Sequence, residues 1–87
     1  MPKISEFKRM VIFMRIRGEH NPPHIHVLYS GSTSRIDFSG NVIEGYLQLN
    51  KLRILKEWIL LHRQELEENW TLVKSKQLPK TIKPWSK

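Results

Sequence analysis

The hydrophobic pattern changes period once, near residue 48. That change divides the chain into a β-rich half and a helical half. Before it, apolar and polar residues alternate. Residues 8–17 set Ile12, Met14 and Ile16 against Val11, Phe13, Arg15 and Arg17, the pattern of a half-buried strand. Residues 24–30 set Ile25, Val27 and Tyr29 against His24, His26 and Leu28. Residues 34–38 set Ile36 and Phe38 against Arg35 and Asp37, and residues 42–47 form a fourth short strand weakened by Gly45. Gly31-Ser32-Thr33 and Ser39-Gly40-Asn41 read as turns. Connections this short imply an antiparallel meander.

After the change, Leu52, Leu55, Ile59, His62 and Leu66 recur every three or four residues, with Trp58 beside them and Asn50 as the expected cap. Trp70 and Val73 continue an apolar stripe, but Trp58 and Trp70 stand roughly 120° apart on an ideal helix. The helix over 50–76 is therefore expected to bend near Gln64-Glu65 or to break in two. Pro79 and Pro84 leave residues 77–87 as an irregular basic tail, which Ile82 and Trp85 can pin to the body.

The expected fold is α+β: an antiparallel meander of three to four strands, covered on one face by the long C-terminal helix. Eighty-seven residues make one domain, 1–87, with a thin core and no cysteine to reinforce it. The only cover for the sheet is the helix, which takes the face of Ile25, Val27, Ile36 and Phe38. The opposite face then gathers Arg15, Arg17, His24, His26, Arg35 and Asp37 on one open, cationic surface.

Net charge is +7. Lys3, Lys8, Arg9, Arg15 and Arg17 crowd the N-terminal segment, and Lys74, Lys76, Lys80, Lys83 and Lys87 the C-terminal one. Basic surfaces of this kind attract polyanions, RNA and DNA above all. Arg15, Arg17, Lys74, Lys76, Lys80 and Lys83 are the candidate nucleic-acid contacts. The longest apolar run, Met10 to Met14, falls far short of the roughly 20 residues that cross a bilayer. The N-terminus lacks the apolar core of a signal peptide, and a cytoplasmic location is expected.

The sharpest chemical feature is Glu19-His20-Asn21-Pro22-Pro23-His24-Ile25-His26. The diproline forces an extended connector, with trans X-Pro bonds expected. His24 and His26 lie about 7 Å apart on one strand face, and His20 can fold back toward them. Two chemistries suit this cluster. One is metal-independent acid–base cleavage of RNA, making the protein a ribonuclease. In it one imidazole takes the 2′-hydroxyl proton and another protonates the leaving oxygen. Arg15, Arg17 or Arg35 stabilises phosphorane charge and Asp37 orients a histidine. The other is binding of a divalent transition metal such as zinc by His20, His24 and His26, with Glu19 or Asp37 as alternative third ligands. Against both stands a bland reading, in which histidines beside prolines satisfy backbone groups left unpaired by the turn. His62, on the helix stripe, reads as a hydrogen-bonded core histidine, and Trp58 and Trp70 as core fillers.

These residues, with Glu57-Trp58, His62, Glu65-Leu66, Asn69-Trp70 and the opening Pro2-Lys3-Ile4-Ser5, resemble a family of small bacterial proteins known as domain of unknown function 4160. The resemblance covers nearly the whole chain. The family's motif is an acidic residue, histidine, a variable residue, then Pro-Pro-His-x-His, and Glu19 fills the acidic place. The lysine-rich tail after Lys74 departs from the family. Such genes often stand beside a second small gene, as in toxin–antitoxin modules. The resemblance implies a toxin-like basic protein acting on RNA, held by a small antitoxin-like partner. It marks His20, His24 and His26 as the motif's functional candidates, with His62 in support. A binding module without chemistry is the remaining alternative.

Overall fold

The computed structural model describes residues 2–16 and 20–86. Among the described residues five strands form one sheet: β1 (Lys3–Phe7), β2 (Met10–Phe13), β3 (His24–Tyr29), β4 (Ser32–Asp37) and β5 (Val42–Glu44). Their order in the sheet is their order in the chain, and every pair is antiparallel. The meander is as expected, with one strand more than the three to four read from the pattern.

The extra strand is β1. The expected strand over 8–17 divides at its start: Lys8 and Arg9 are a two-residue turn that returns β2 along β1, with Phe7 opposite Met10. Both turn residues have positive φ, 50° and 66°, as a hairpin turn of the primed type requires. That conformation normally selects glycine or asparagine, so a Lys-Arg pair carries no turn signal. The β3–β4 turn repeats the device with Ser30 at φ 53° and Gly31 at 81°. It starts β4 at Ser32, two residues ahead of its expected start. Gly45, at φ 82°, ends β5; a Cβ there would lie 2.5 Å from the Thr33 carbonyl oxygen.

The helical half is broken in two, as one of the two expected forms has it: α1 (Leu49–Leu61) and α2 (Arg63–Lys74). Asn50 is not the cap. Gln48 takes that position, with its carbonyl accepting from the Lys51 and Leu52 amides. Its side chain is engaged elsewhere, accepting a 3.3 Å bond from the Tyr29 hydroxyl. The break falls at His62 (φ −116°, ψ 23°) rather than at Gln64-Glu65. Hydrogen bonds from His62 N–H to Trp58 and from Leu66 N–H to the His62 carbonyl run through it, so the interruption is a kink. It lets both tryptophans reach the core despite their helical phase difference: Trp58 is 0% exposed and Trp70 9%. Both are core fillers, as expected.

The core lies between the helices and the sheet face carrying Ile12, Ile25, Val27, Ile36 and Phe38, and is filled from the helices by Leu55, Trp58, Ile59, Leu66, Trp70 and Val73. Residues 77–86 have no regular secondary structure, yet they form a fixed strap. Asn69 is buried and clamps Lys80 at both ends, accepting from its amide and donating to its carbonyl, each at 2.8 Å. Trp58 Nε1–H donates to the Lys83 carbonyl at 2.9 Å, and the Ile82 amide donates to Ile4 of β1 at 2.7 Å. Ile82 is buried in the core cluster and Trp85 packs against it. No helix among the described residues is long and apolar enough to cross a membrane.

The positive φ of Arg9 gives a first test. Arg9→Gly relieves a left-handed strain worth roughly 1–2 kcal/mol and loses part of that to backbone entropy. The expected gain is about 0.5–1 kcal/mol, seen as a rise of several degrees in Tm. An unchanged or lower midpoint would count against the turn geometry.

Candidate functional site

Register places the chemistry. Phe13 of β2, His26 of β3, Arg35 of β4 and Glu44 of β5 are successive cross-strand partners, and directly paired residues share a face. The next row pairs His24 with Asp37. The expected alternation therefore holds: His24 and His26 share the sheet face of Arg35 and Asp37, away from Ile25, Val27 and Ile36.

That face is not open at the histidines. His24 is 2% exposed and His26 3%. This corrects the expectation of an exposed imidazole surface, and ring packing is the reason. His26 stacks on Phe13 with centroids 5.1 Å apart and planes at 15°. His24 meets His26 edge-on at 5.0 Å and lies 5.3 Å from Trp70. Trp70 in turn contacts Phe38 edge-on at 6.4 Å. His24 opens β3 at the end of the sheet, where the α2 tryptophan can reach it. Its Nδ1 is 2.8 Å from the Pro22 carbonyl oxygen. A carbonyl can only accept, so Nδ1 carries a proton. His24 thus satisfies a backbone oxygen of the diproline connector, as the bland reading has it. The Asn21–Pro22 bond is cis, where trans is expected.

Asp37 does not orient a histidine. Its Oδ1 accepts from the Ser39 and Asn41 amides at 2.9 Å each, and its Oδ2 from the Asn41 side chain at 3.3 Å. Partial burial by itself would raise its pKa. The bonds from the Asn41 amide, Ser39, the Asn41 side chain and Gly40 outweigh that and hold the carboxyl below its ordinary 3.8. The carboxylate builds the β4–β5 turn. An Asp followed at two and four residues by Ser and Asn carries that signal in the sequence.

Two clefts flank the buried rings. One, of about 260 Å³, is lined by Arg15, His26, Thr33, Ser34, Arg35 and Glu44. Arg15 is exposed, and Arg35 Nε is paired with Glu44 Oε1 at 2.9 Å. Arg15, His26 and Arg35 are thus brought together as expected. Glu44 joins them, a residue that its parity on the fourth strand could have flagged. The other cleft, of about 350 Å³, lies between the diproline connector and α2 and is lined in part by Pro22, Pro23, Asp37, Arg63, Glu67 and Trp70. Arg63 and Glu67 carry no sequence signal beyond their helical spacing.

His20 is exposed, and Arg17 and Glu19 lie outside the described residues. Among the described residues no three His, Asp or Glu side chains group closely enough to hold a metal ion. His62 is half-buried at the helix kink, with Nδ1 2.6 Å from Glu65 Oε1 and its ring 5.5 Å from Trp58. It is hydrogen-bonded as expected, but to an exposed carboxylate. Lys74 ends α2 over the Trp70 ring at 5.7 Å, and Lys76 follows in the turn at φ 61°. Lys80 and Lys83 stand on the strap, which bonds to β1, whereas the arginine cleft is lined by Arg15 and by residues of β3, β4 and β5.

A family model described as Domain of unknown function (DUF4160) matches residues 10–71. The chain belongs to the DUF4160 family. No curated protein and no solved structure matches it. Within this DUF4160 domain the matched region holds β2 to β5, α1 and most of α2, and so both clefts and the ring stack between them.

Two outcomes follow from this geometry. His24→Ala removes a buried ring and orphans the Pro22 carbonyl, so it should cost about 2–4 kcal/mol in urea unfolding; a parental midpoint would contradict a structural His24. Asp37 has a lowered folded pKa. Its contribution is complete above 3.8 and is lost as pH falls through the lower, folded value. Stability measured from pH 6 downward should drop in that acid range. Asp37→Asn should flatten that part of the profile, and an unaltered profile would sink the assignment.

Proposed function

We propose that this DUF4160 protein is a toxin-like component acting on RNA through the cleft of Arg15, His26 and Arg35. The observation that supports it is that two arginines and a histidine line a single polar cleft, in a chain of net charge +7. Arginine suits phosphate because its planar fork bonds two oxygens at once. Arg15 is exposed and available, and Arg35 is held in place by Glu44. RNA binding is the reading this cleft supports best.

Metal-independent cleavage would add two proton transfers at one phosphate. His24 is committed to the Pro22 carbonyl, which leaves His26 and Glu44 as the pair within the cleft. One takes the 2′-hydroxyl proton as that oxygen attacks phosphorus. The other protonates the departing 5′-oxygen, leaving a 2′,3′-cyclic phosphate. The gene-pair arrangement that the family resemblance implies suits an antitoxin-like partner whose acidic surface covers the arginines.

Fluorescence anisotropy with a labelled single-stranded RNA tests the reading. Affinity should fall with added salt, and replacing Arg15 and Arg35 by Ala should reduce the log–log salt slope by about one per arginine. Absence of RNA binding at low salt, or a double variant with parental affinity and slope, would refute it. A cyclic-phosphate product that vanishes in His26→Asn would establish cleavage as well.

A further inference from the structure

We propose that the second cleft, between the diproline connector and α2, is a pocket for a guanine base. This deepens the RNA reading and rests on it for its biological role. The cleft's volume, about 350 Å³, is in the range of small-ligand sites and suits one nucleoside. Pro22, Pro23 and Trp70 supply an apolar wall, the kind of surface against which an unstacked base lies.

The polar side of the cleft is a half-exposed donor–acceptor pair. Arg63 Nε and Glu67 Oε2 are 2.7 Å apart, one helical turn from each other. Arg63 is also tied down by a 3.0 Å bond from Nη1 to the Phe38 carbonyl, with the guanidinium 5.8 Å over the Phe38 ring. Those contacts leave Nη2 and the other carboxylate oxygen without a protein partner among the described residues. Arg63 is thus anchored, and its Nη2 and both carboxylate oxygens of Glu67, Oε2 keeping a second lone pair, can still bond a ligand.

Guanine is the base that complements this arrangement. Its O6 accepts from a guanidinium N–H. Its N1–H and N2–H₂ donate in parallel toward one carboxylate. Adenine and cytosine each offer one exocyclic amine and no ring N–H beside it, and uracil offers a single ring N–H. A carboxylate meets two parallel donors on one edge only in guanine.

The place of the cleft also fits. Asp37 lines it, and Arg35, two residues back on β4 and on the same face, lines the arginine cleft. Positions two apart on a strand are about 7 Å apart. A phosphate on the arginines and a neighbouring base against Trp70 can belong to one short strand of RNA.

The experiment compares the RNA pentamers AAGAA, AAIAA (I, inosine) and AAAAA by anisotropy on the full chain, and follows 5′-GMP and 5′-AMP by NMR shift mapping. Wild type should prefer AAGAA over AAAAA by about tenfold, with AAIAA between because inosine lacks the 2-amino group. GMP, and not AMP, should shift the resonances of Glu67 and Thr71. Glu67→Gln, an exposed substitution, should bring the AAGAA and AAAAA affinities within about twofold of each other. RNA binding with no preference for G and no GMP-specific shifts would overturn the base pocket and leave the RNA reading standing. GMP-specific shifts without RNA binding would uphold the pocket and remove the RNA reading. A preference for G that survives Glu67→Gln would overturn the proposal.

Discussion

The His24 imidazole ties three parts of the fold together. Its proton meets the Pro22 carbonyl, its edge meets His26, and it lies against Trp70 of α2. Remove that ring and the diproline connector loses a hydrogen-bond donor, β3 loses the packing at its first residue, and α2 loses one of its contacts at the end of the sheet. A buried imidazole serves here because it is flat enough to stack and polar enough to satisfy a carbonyl that no strand can pair. A phenyl ring could do only the first of these.

Two clefts lie on either side of that anchor. The arginine cleft lies in the row through His26, Arg35 and Glu44, and the α2 cleft lies on the far side of the rings, beside Pro22, Pro23 and Trp70. The buried stack thus separates two exposed polar regions while holding both to one rigid base. The strap along β1 contributes differently. Asn69 and Trp58 hold its backbone, so its lysines are displayed from a fixed chain on the other edge of the sheet.

The alternation of residues 24–30 and 34–38 was sufficient to assign every side chain there to the correct face, because strand period is a local property of the backbone. It could not say whether that face was open. Openness depended on Phe13 and Trp70, which are remote in sequence and reach His26 and His24 only after folding. The Arg15, His26 and Arg35 grouping was legible for the same reason the faces were, whereas Arg63 and Glu67 became a site only when α2 came to rest beside the prolines. Asn69 was legible in principle. A polar residue on the Leu66–Trp70–Val73 stripe must find a buried partner, although its partner, Lys80, could not be named.

By itself the sequence determined the order of the halves, the antiparallel meander, the covered face and membership of the histidine row, since these follow from the periods of apolar residues and from short connections. Tertiary structure decided the Lys8-Arg9 hairpin, the kink at His62, the clamped strap and the burial of His24 and His26. In each case the energy comes from contacts between distant segments, which override local preference: non-glycine residues accept positive φ, and a helix yields at an ordinary residue so that both tryptophans can be buried.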